Sequence, residues 1–149
     1  MAAKVGYLLD TNILIALIRA NKLGEAIDQK FALRSSMNRS VISVVTVGEI
    51  LSLARQFDWG QSKSEELAIV LDEVMWIDID HPDILEAYGE IDHTSRKQGK
   101  RMGKNDVWIA ATAMVSKTTL LTTDLDFEHL NNSYIDRIWI DPNTKPTTA

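Results

Sequence analysis

Val5-Gly-Tyr-Leu-Leu9-Asp10-Thr11-Asn12-Ile13-Leu14-Ile15-Ala16-Leu17-Ile18 carries two patterns back to back. Its first five residues form a short apolar run that stops at Asp10; from Thr11 the apolar residues follow helical spacing behind a Thr and an Asn. The stretch predicts a strand, an acid at its carboxyl end, and then a helix. The same grammar recurs along the chain. Leu23 to Leu33 reads as a helix, Ser40 to Ser43 as a strand, and Thr46 as the cap of a helix in which Val47, Ile50, Leu51, Ala54 and Phe57 form one apolar stripe ending at Asp58-Trp59-Gly60. Ser62 to Glu73 predicts a helix, Met75 to Ile79 a strand, and Pro82 to about Lys97 a helix with proline in its first turn. Asp106 to Ser116 is a helix of small residues, with Thr119 to Thr122 and Ile138 to Ile140 as the last strands. Strands alternating with helices predict an α/β fold whose central, mostly parallel sheet is flanked by helices on both faces. Binding sites in such sheets gather at the carboxyl ends of the strands.

A chain of 149 residues is the usual size of one domain, and its 45% apolar and 25% charged residues are those of an ordinary globule. No run approaches the ~18 residues that a membrane helix needs. Met1 to Lys4 leads straight into Val5 to Leu9, too short for a secretory leader, so the expected location is the cytoplasm. The absence of cysteine excludes disulfides, thiolate zinc sites and cysteine nucleophiles, and three histidines without metal-like spacing leave little for zinc. With a net charge of -5, bulk positive charge cannot drive nucleic-acid binding. Any such contact must be local. The one qualifying segment holds Arg96, Lys97, Lys100, Arg101 and Lys104 with no acid among them; it is either a solvated loop or a phosphate-binding one.

Asp124 closes the strand Leu120 to Thr123 as Asp10 closes the first, so both carboxylates face one rim of the sheet. Each taken alone is a favoured N-cap for the segment after it. Together, with Asp126 two residues on, they create like-charge repulsion that a cation would relieve. Glu49 falls on the helix side shared with Ser52 and Gln56, away from the apolar stripe, which by pattern alone is a solvated face. Asp106 opens a helix, where a negative charge is favourable near the positive end.

In order, Leu8-Leu-Asp10-Thr11-Asn12-Ile13-Leu14, Val47-Gly-Glu49-Ile50, Asn105-Asp106-Val-Trp-Ile109-Ala-Ala and Leu121-Thr-Thr-Asp124-Leu-Asp126-Phe127 resemble the four acidic blocks of PIN-domain ribonucleases. The likeness spans roughly Val5 to Ile140, giving an expected domain of residues 1–140 and a polar tail of 141–149. Without an appended module, the chain is similar to VapC-type toxins of bacterial toxin-antitoxin pairs. The resemblance implies that Asp10, Glu49, Asp106 and Asp124 are catalytic and hold Mg²⁺ or Mn²⁺ with help from Asp126. It implies supporting roles for Thr11, Asn12 and Thr123, hydrolysis of RNA phosphodiesters, a cognate antitoxin and a homodimer. It also turns Glu49 inward, which periodicity does not. The chemistry is consistent, because oxygen ligands suit a hard cation that neutralises phosphate and activates water. Setting four ligands aside, acids and bases nearly balance, and the basic segment ending two residues before Asp106 is placed to meet RNA phosphates.

Other readings fit less well. Gly99 to Asn105 has three residues between its glycines and Asn in place of the magnesium-binding hydroxyl of a phosphate loop. A haloacid-dehalogenase-like phosphatase wants a second Asp where Asn12 stands. A receiver-like signalling module wants an acid pair after the first strand and an acid after Ser43. A housekeeping PIN nuclease in RNA processing stays open. The tryptophans at 59, 76, 108 and 139 are scattered, as core or rim packing residues are.

Overall fold

The computed structural model describes residues 6–148. Val5, the start of the first predicted strand, lies outside that range, as do Met1 to Lys4. In chain order the elements are β1 (Leu8–Leu9), α1 (Thr11–Arg19), α2 (Lys22–Phe31), a 3-10 segment (Arg34–Arg39), β2 (Val41–Ser43), α3 (Val44–Gln56), α4 (Gln61–Glu73), β3 (Met75–Ile77), α5 (Pro82–Lys97), α6 (Lys104–Ser116), β4 (Thr119–Thr122), a second 3-10 segment (Leu125–Leu130) and β5 (Asp136–Trp139). The five strands pair in the order β3-β2-β1-β4-β5, every pair parallel.

Parallel strands are buried on both faces, and alternation divides their side chains between two cores. Leu8, in register with Val41 and Leu120, faces the layer of α5 and α6 with Ile84, Ile91 and Ile109. Leu9, Ile42 and Leu121 face the opposite layer, with Ile13, Leu14 and Leu17 of α1, Ile27 of α2, Ile50 of α3 and Val70 of α4. Gly24 makes the α1–α2 turn possible, since a Cβ there would sit 2.0 Å from the Ala16 carbonyl oxygen. No described helix is long and apolar enough to cross a membrane.

Several boundaries differ from the sequence reading, each for a local reason. Ser43, not Thr46, caps α3: its Oγ accepts from Val45 N at 3.1 Å, so the helix begins at Val44 and Thr46 is buried inside it. The stripe on α3 is only partly covered, with Val47 and Ile50 buried but Leu51 and Phe57 exposed. β3 stops at Ile77 because the Asp78 carboxylate accepts from Ile79 N and turns the chain. Gly103 takes the N-cap position of α6, so that helix starts at Lys104 rather than Asp106. β5 runs from Asp136, earlier than expected. Residues 142–148 form no helix or strand; Thr147 exchanges hydrogen bonds with the Gln29 side chain on α2, donating from N at 2.8 Å and accepting at its carbonyl at 3.0 Å. Trp108 packs on Tyr88 and Trp59 against the core of Leu9, Ile42 and Leu121, whereas Trp76 and Trp139 lie half-exposed on the edge strands.

Candidate metal centre

β1 and β4 are neighbours at the point where the chain crosses from one half of the sheet to the other, which opens a crevice beyond their carboxyl ends. Asp10 and Asp124 leave the sheet at that crevice. Asp10 is 4% exposed. Its Oδ1 accepts from Thr11 N at 2.8 Å and its Oδ2 from the Thr122 hydroxyl at 2.6 Å. The same Thr122 oxygen accepts from Asp124 N at 2.9 Å, so one buried threonine ties the two strand ends together. Asp124 in turn accepts from Asp126 N at 2.9 Å, which curls the following 3-10 segment back toward the crevice. Asp10 and Asp124 therefore do cap the segments after them, and capping is also what aims them at one another.

Asp106 enters from the first turn of α6. Asp106, Asp124 and Asp126 each offer a carboxylate oxygen, and the three oxygens lie within 4.8 Å of one another, close enough to share one ion. Glu49 arrives from α3 and is half-buried: the Thr11 hydroxyl donates to its Oε1 at 2.7 Å and lies 3.3 Å from the Thr46 hydroxyl. The residue after Asp10 thus holds Glu49 at the crevice, and the solvated-face expectation from periodicity does not survive.

Electrostatics reflects this crowding. Burial pushes the Asp10 carboxyl up to about 6, with Asp124 and Glu49 adding to the rise and the Thr122 and Thr11 hydrogen bonds opposing it. Asp106 is pushed up to about 7, first by burial and then by the charges of Asp10, Asp124, Glu49 and Asp126. All five acids therefore act on a common volume. Asp126 is also raised, by desolvation and then by Asp124, although it is exposed and leaves the centre open on its side. The donors are all carboxylate oxygens, a set suited to Mg²⁺ or Mn²⁺ and ill-suited to a soft ion.

The remaining residues singled out by sequence fall around this core. Asn12 is exposed on α1. Thr123 contributes its carbonyl, which accepts from Trp139 Nε1 at 3.0 Å and braces β5 beside the crevice. Besides that of Thr11, the hydroxyl that holds a carboxylate is that of Thr122, which the sequence reading missed; the Thr46 hydroxyl meets that of Thr11 instead. Thr122 had a signal: it ends a strand whose Leu120 and Leu121 are buried on opposite faces, and a buried hydroxyl must find a partner.

The basic segment is not one loop. Arg96 and Lys97 belong to the last turn of α5, Lys100 and Arg101 to the connection, and Lys104 to α6. Arg96 is already paired with Asp92 at 2.9 Å. The connection stays beside the acids because the Ser95 hydroxyl and His129 Nε2 are 2.8 Å apart, joining the end of α5 to the 3-10 segment that carries Asp126. At its other end, a Cβ on Gly103 would lie 3.8 Å from Asp106 Oδ2.

A family model described as PIN domain matches residues 7–132. Ribonuclease VapC1 of Haemophilus influenzae strain R2866 is 30% identical over 133 residues, covering 85% of this chain and 92% of the relative. Among solved structures, DNA-bound VapBC from Salmonella typhimurium aligns with a TM-score of 0.69 at 27% identity, covering 90% of this chain and 97% of that one. VapBC2 from Rickettsia felis, bound to a promoter fragment, shares the fold with a TM-score of 0.71 at 24% identity, over 88% and 97% of the two chains.

Proposed function

The chain belongs to the PIN-domain family, and from that premise we propose that it is a divalent-metal-dependent endoribonuclease acting as the toxin of a toxin-antitoxin pair. The observation that carries this reading is the convergence of Asp10, Glu49, Asp106, Asp124 and Asp126 on one crevice, where burial and mutual repulsion raise the carboxyls of Asp10 and Asp106 above the usual carboxylate range. The phosphatase and receiver readings lose their ground with the family match.

Asp106, Asp124 and Asp126 are the residues that would grip the ion, with Asp10 and Glu49 completing the anionic wall. Magnesium or manganese in this position supplies charge neutralisation for the scissile phosphate and a water of lowered pKa. Thr122 and Thr11 hold Asp10 and Glu49 in place through hydrogen bonds to Asp10 Oδ2 and Glu49 Oε1. Asp10 and Asp106, raised to about 6 and about 7, would have to be deprotonated for a cation to be held, so metal affinity would rise with pH through that range. Lys97, Lys100, Arg101 and Lys104 supply phosphate contacts that seat the RNA, with Arg96 adding a contact when released from Asp92.

The VapBC structures contain toxin-antitoxin complexes; by extension this chain acts in the cytoplasm as a homodimer held in check by a cognate antitoxin. The decisive experiment is cleavage of RNA with and without Mn²⁺, using Asp10→Asn as control, coupled to expression of the chain alone in bacteria. Metal-dependent cleavage with growth arrest, relieved by co-expressing the adjacent small gene, is expected. Cleavage without arrest identifies a housekeeping nuclease, and no cleavage overturns the enzyme assignment.

A further inference from the structure

Next to the metal centre, α3 and the first turn of α6 enclose an open groove of about 540 Å³. Val45, Gly48, Ser52, Leu53 and Gln56 form its α3 wall, Asn105 its α6 wall, and Glu49 is shared with the metal centre. We propose that this groove is a nucleobase subsite, holding an unpaired base of the nucleotide adjoining the scissile phosphate. The inference rests on the ribonuclease reading above and deepens it.

Three observations carry it. The first is chemical: no lysine or arginine lines the groove and Glu49 stands at its edge, so a phosphate is disfavoured there, while aliphatic walls and neutral amides and hydroxyls suit the face and edges of a base. Gln56 Nε2 donates to Ser52 Oγ at 3.0 Å, which leaves the amide oxygen of Gln56 and both polar groups of Asn105 to read the base edge. The second is Gly48. It sits inside α3, where glycine is among the poorest helix formers, and a Cβ there would meet nothing within 4 Å. Packing does not demand a glycine at this position; what its lack of a side chain provides is an open floor. The third is continuity. The groove shares Glu49 with the metal centre and its α6 wall, Asn105, is one residue from Asp106, so a nucleotide adjoining a phosphate at the centre has its base within reach of the groove.

The test uses the full-length protein and fluorescein-labelled single-stranded RNA, with Ca²⁺ replacing the catalytic ion so that binding is measured without cleavage. Oligonucleotides carry an abasic residue at each position in turn around a mapped cleavage site. Wild type should bind one abasic oligonucleotide about fivefold more weakly than its parent, the loss expected for about 1 kcal/mol of base contact. Gly48→Leu fills the floor, improves helix propensity and should raise Tm. It should bind parent and abasic RNA equally weakly, with Mn²⁺ affinity unchanged, and Gln56→Ala should change which base is preferred beside the cut. Loss of binding by Gly48→Leu that is equal for every oligonucleotide and leaves the abasic penalty intact overturns the subsite, as does unchanged RNA binding. Unchanged RNA binding with a shift from dimer to monomer in sedimentation assigns the face to a second copy instead, and with loss of antitoxin binding to that partner. If wild type cuts RNA with Mn²⁺ but shows no abasic penalty, only the subsite fails; if it neither binds nor cuts RNA, the ribonuclease reading fails first.

Discussion

Replacing Asp106 by Asn keeps the shape of the side chain and removes one of five mutually repelling carboxylates. In the metal-free protein Asp106 keeps its proton up to about 7, whereas the unfolded chain releases it near 3.8. Between those values the native state binds more protons than the unfolded one, so stability falls as pH rises. The contribution is fully present below about pH 4 and is lost as pH climbs through about 7. At ~1.4 kcal/mol per unit the full shift is worth about 4 kcal/mol. Asp106 is only partly buried, and solvent screening reduces this to about 2 kcal/mol. In a domain of this size that is about 4 to 8 °C in Tm. Thermal unfolding followed by circular dichroism in chelator should therefore show Asp106→Asn melting above wild type by that margin at about pH 8, and level with it at about pH 4. Millimolar Mn²⁺ should reverse the order at pH 8, because the intact centre gains ligand linkage that the variant has partly lost. Equal melting of the two proteins in chelator at pH 8, or a less stable variant, would refute the view that these acids repel one another and wait for a cation.

Asp10→Asn and Asp124→Asn should each lower RNA cleavage at least about a hundredfold, the upper end of what a weakened metal site loses, with circular dichroism unchanged, and Asp126→Asn should cost less because that acid is exposed. Thr122→Val removes the donor to Asp10 and the acceptor for Asp124 N together, so Mn²⁺ affinity by calorimetry should fall about tenfold and stability by about 1 to 3 kcal/mol. Neutralising Lys97, Lys100 and Arg101 together should weaken RNA binding and reduce the slope of log affinity against log salt by about 0.7 for each phosphate that is no longer neutralised. Tm should stay nearly unchanged, as these are surface charges, and Mn²⁺ affinity should be unaltered; an unchanged salt slope would mean that RNA enters elsewhere.

Much of the architecture is legible in the sequence because the central β-strands here are short apolar runs. Leu8-Leu9, Val41-Ile42 and Leu120-Leu121 are apolar pairs that must be buried on both sides, and only a parallel sheet between two helical layers does that. Boundaries are harder to read for a physical reason: caps compete. Ser43 and Thr46 are both good N-cap residues, and nothing in the pattern says that Ser43 wins while Thr46 is drawn inward beside Thr11. The exposure of Leu51 and Phe57 is likewise invisible, since an apolar stripe records affinity for a core and not whether α3 and α4 close over it.

The site shows the same division. Asp10 and Asp124 can be found from the sequence because each terminates a strand, and topology alone brings strand ends together. Glu49 and Asp106 sit on helices whose periodicity offers a sufficient bland explanation, so only their place among the PIN-like blocks marks them. What fixes Glu49 in space is a single 2.7 Å hydrogen bond from Thr11, between residues 38 positions apart, and no local pattern encodes a contact of that kind. Thr122 is the more instructive omission. Next to Thr123 in a Leu-Leu-Thr-Thr-Asp run the two hydroxyls look equivalent, yet strand parity turns Thr122 inward to Asp10 while Thr123 uses its backbone to hold Trp139. A buried threonine at the end of a parallel strand, adjacent to an acid on the next strand, finds in that acid the acceptor for its hydroxyl proton. That makes it a device for holding a carboxylate at a strand end, where the charge remains available to a cation and the side chain does not drift into solvent.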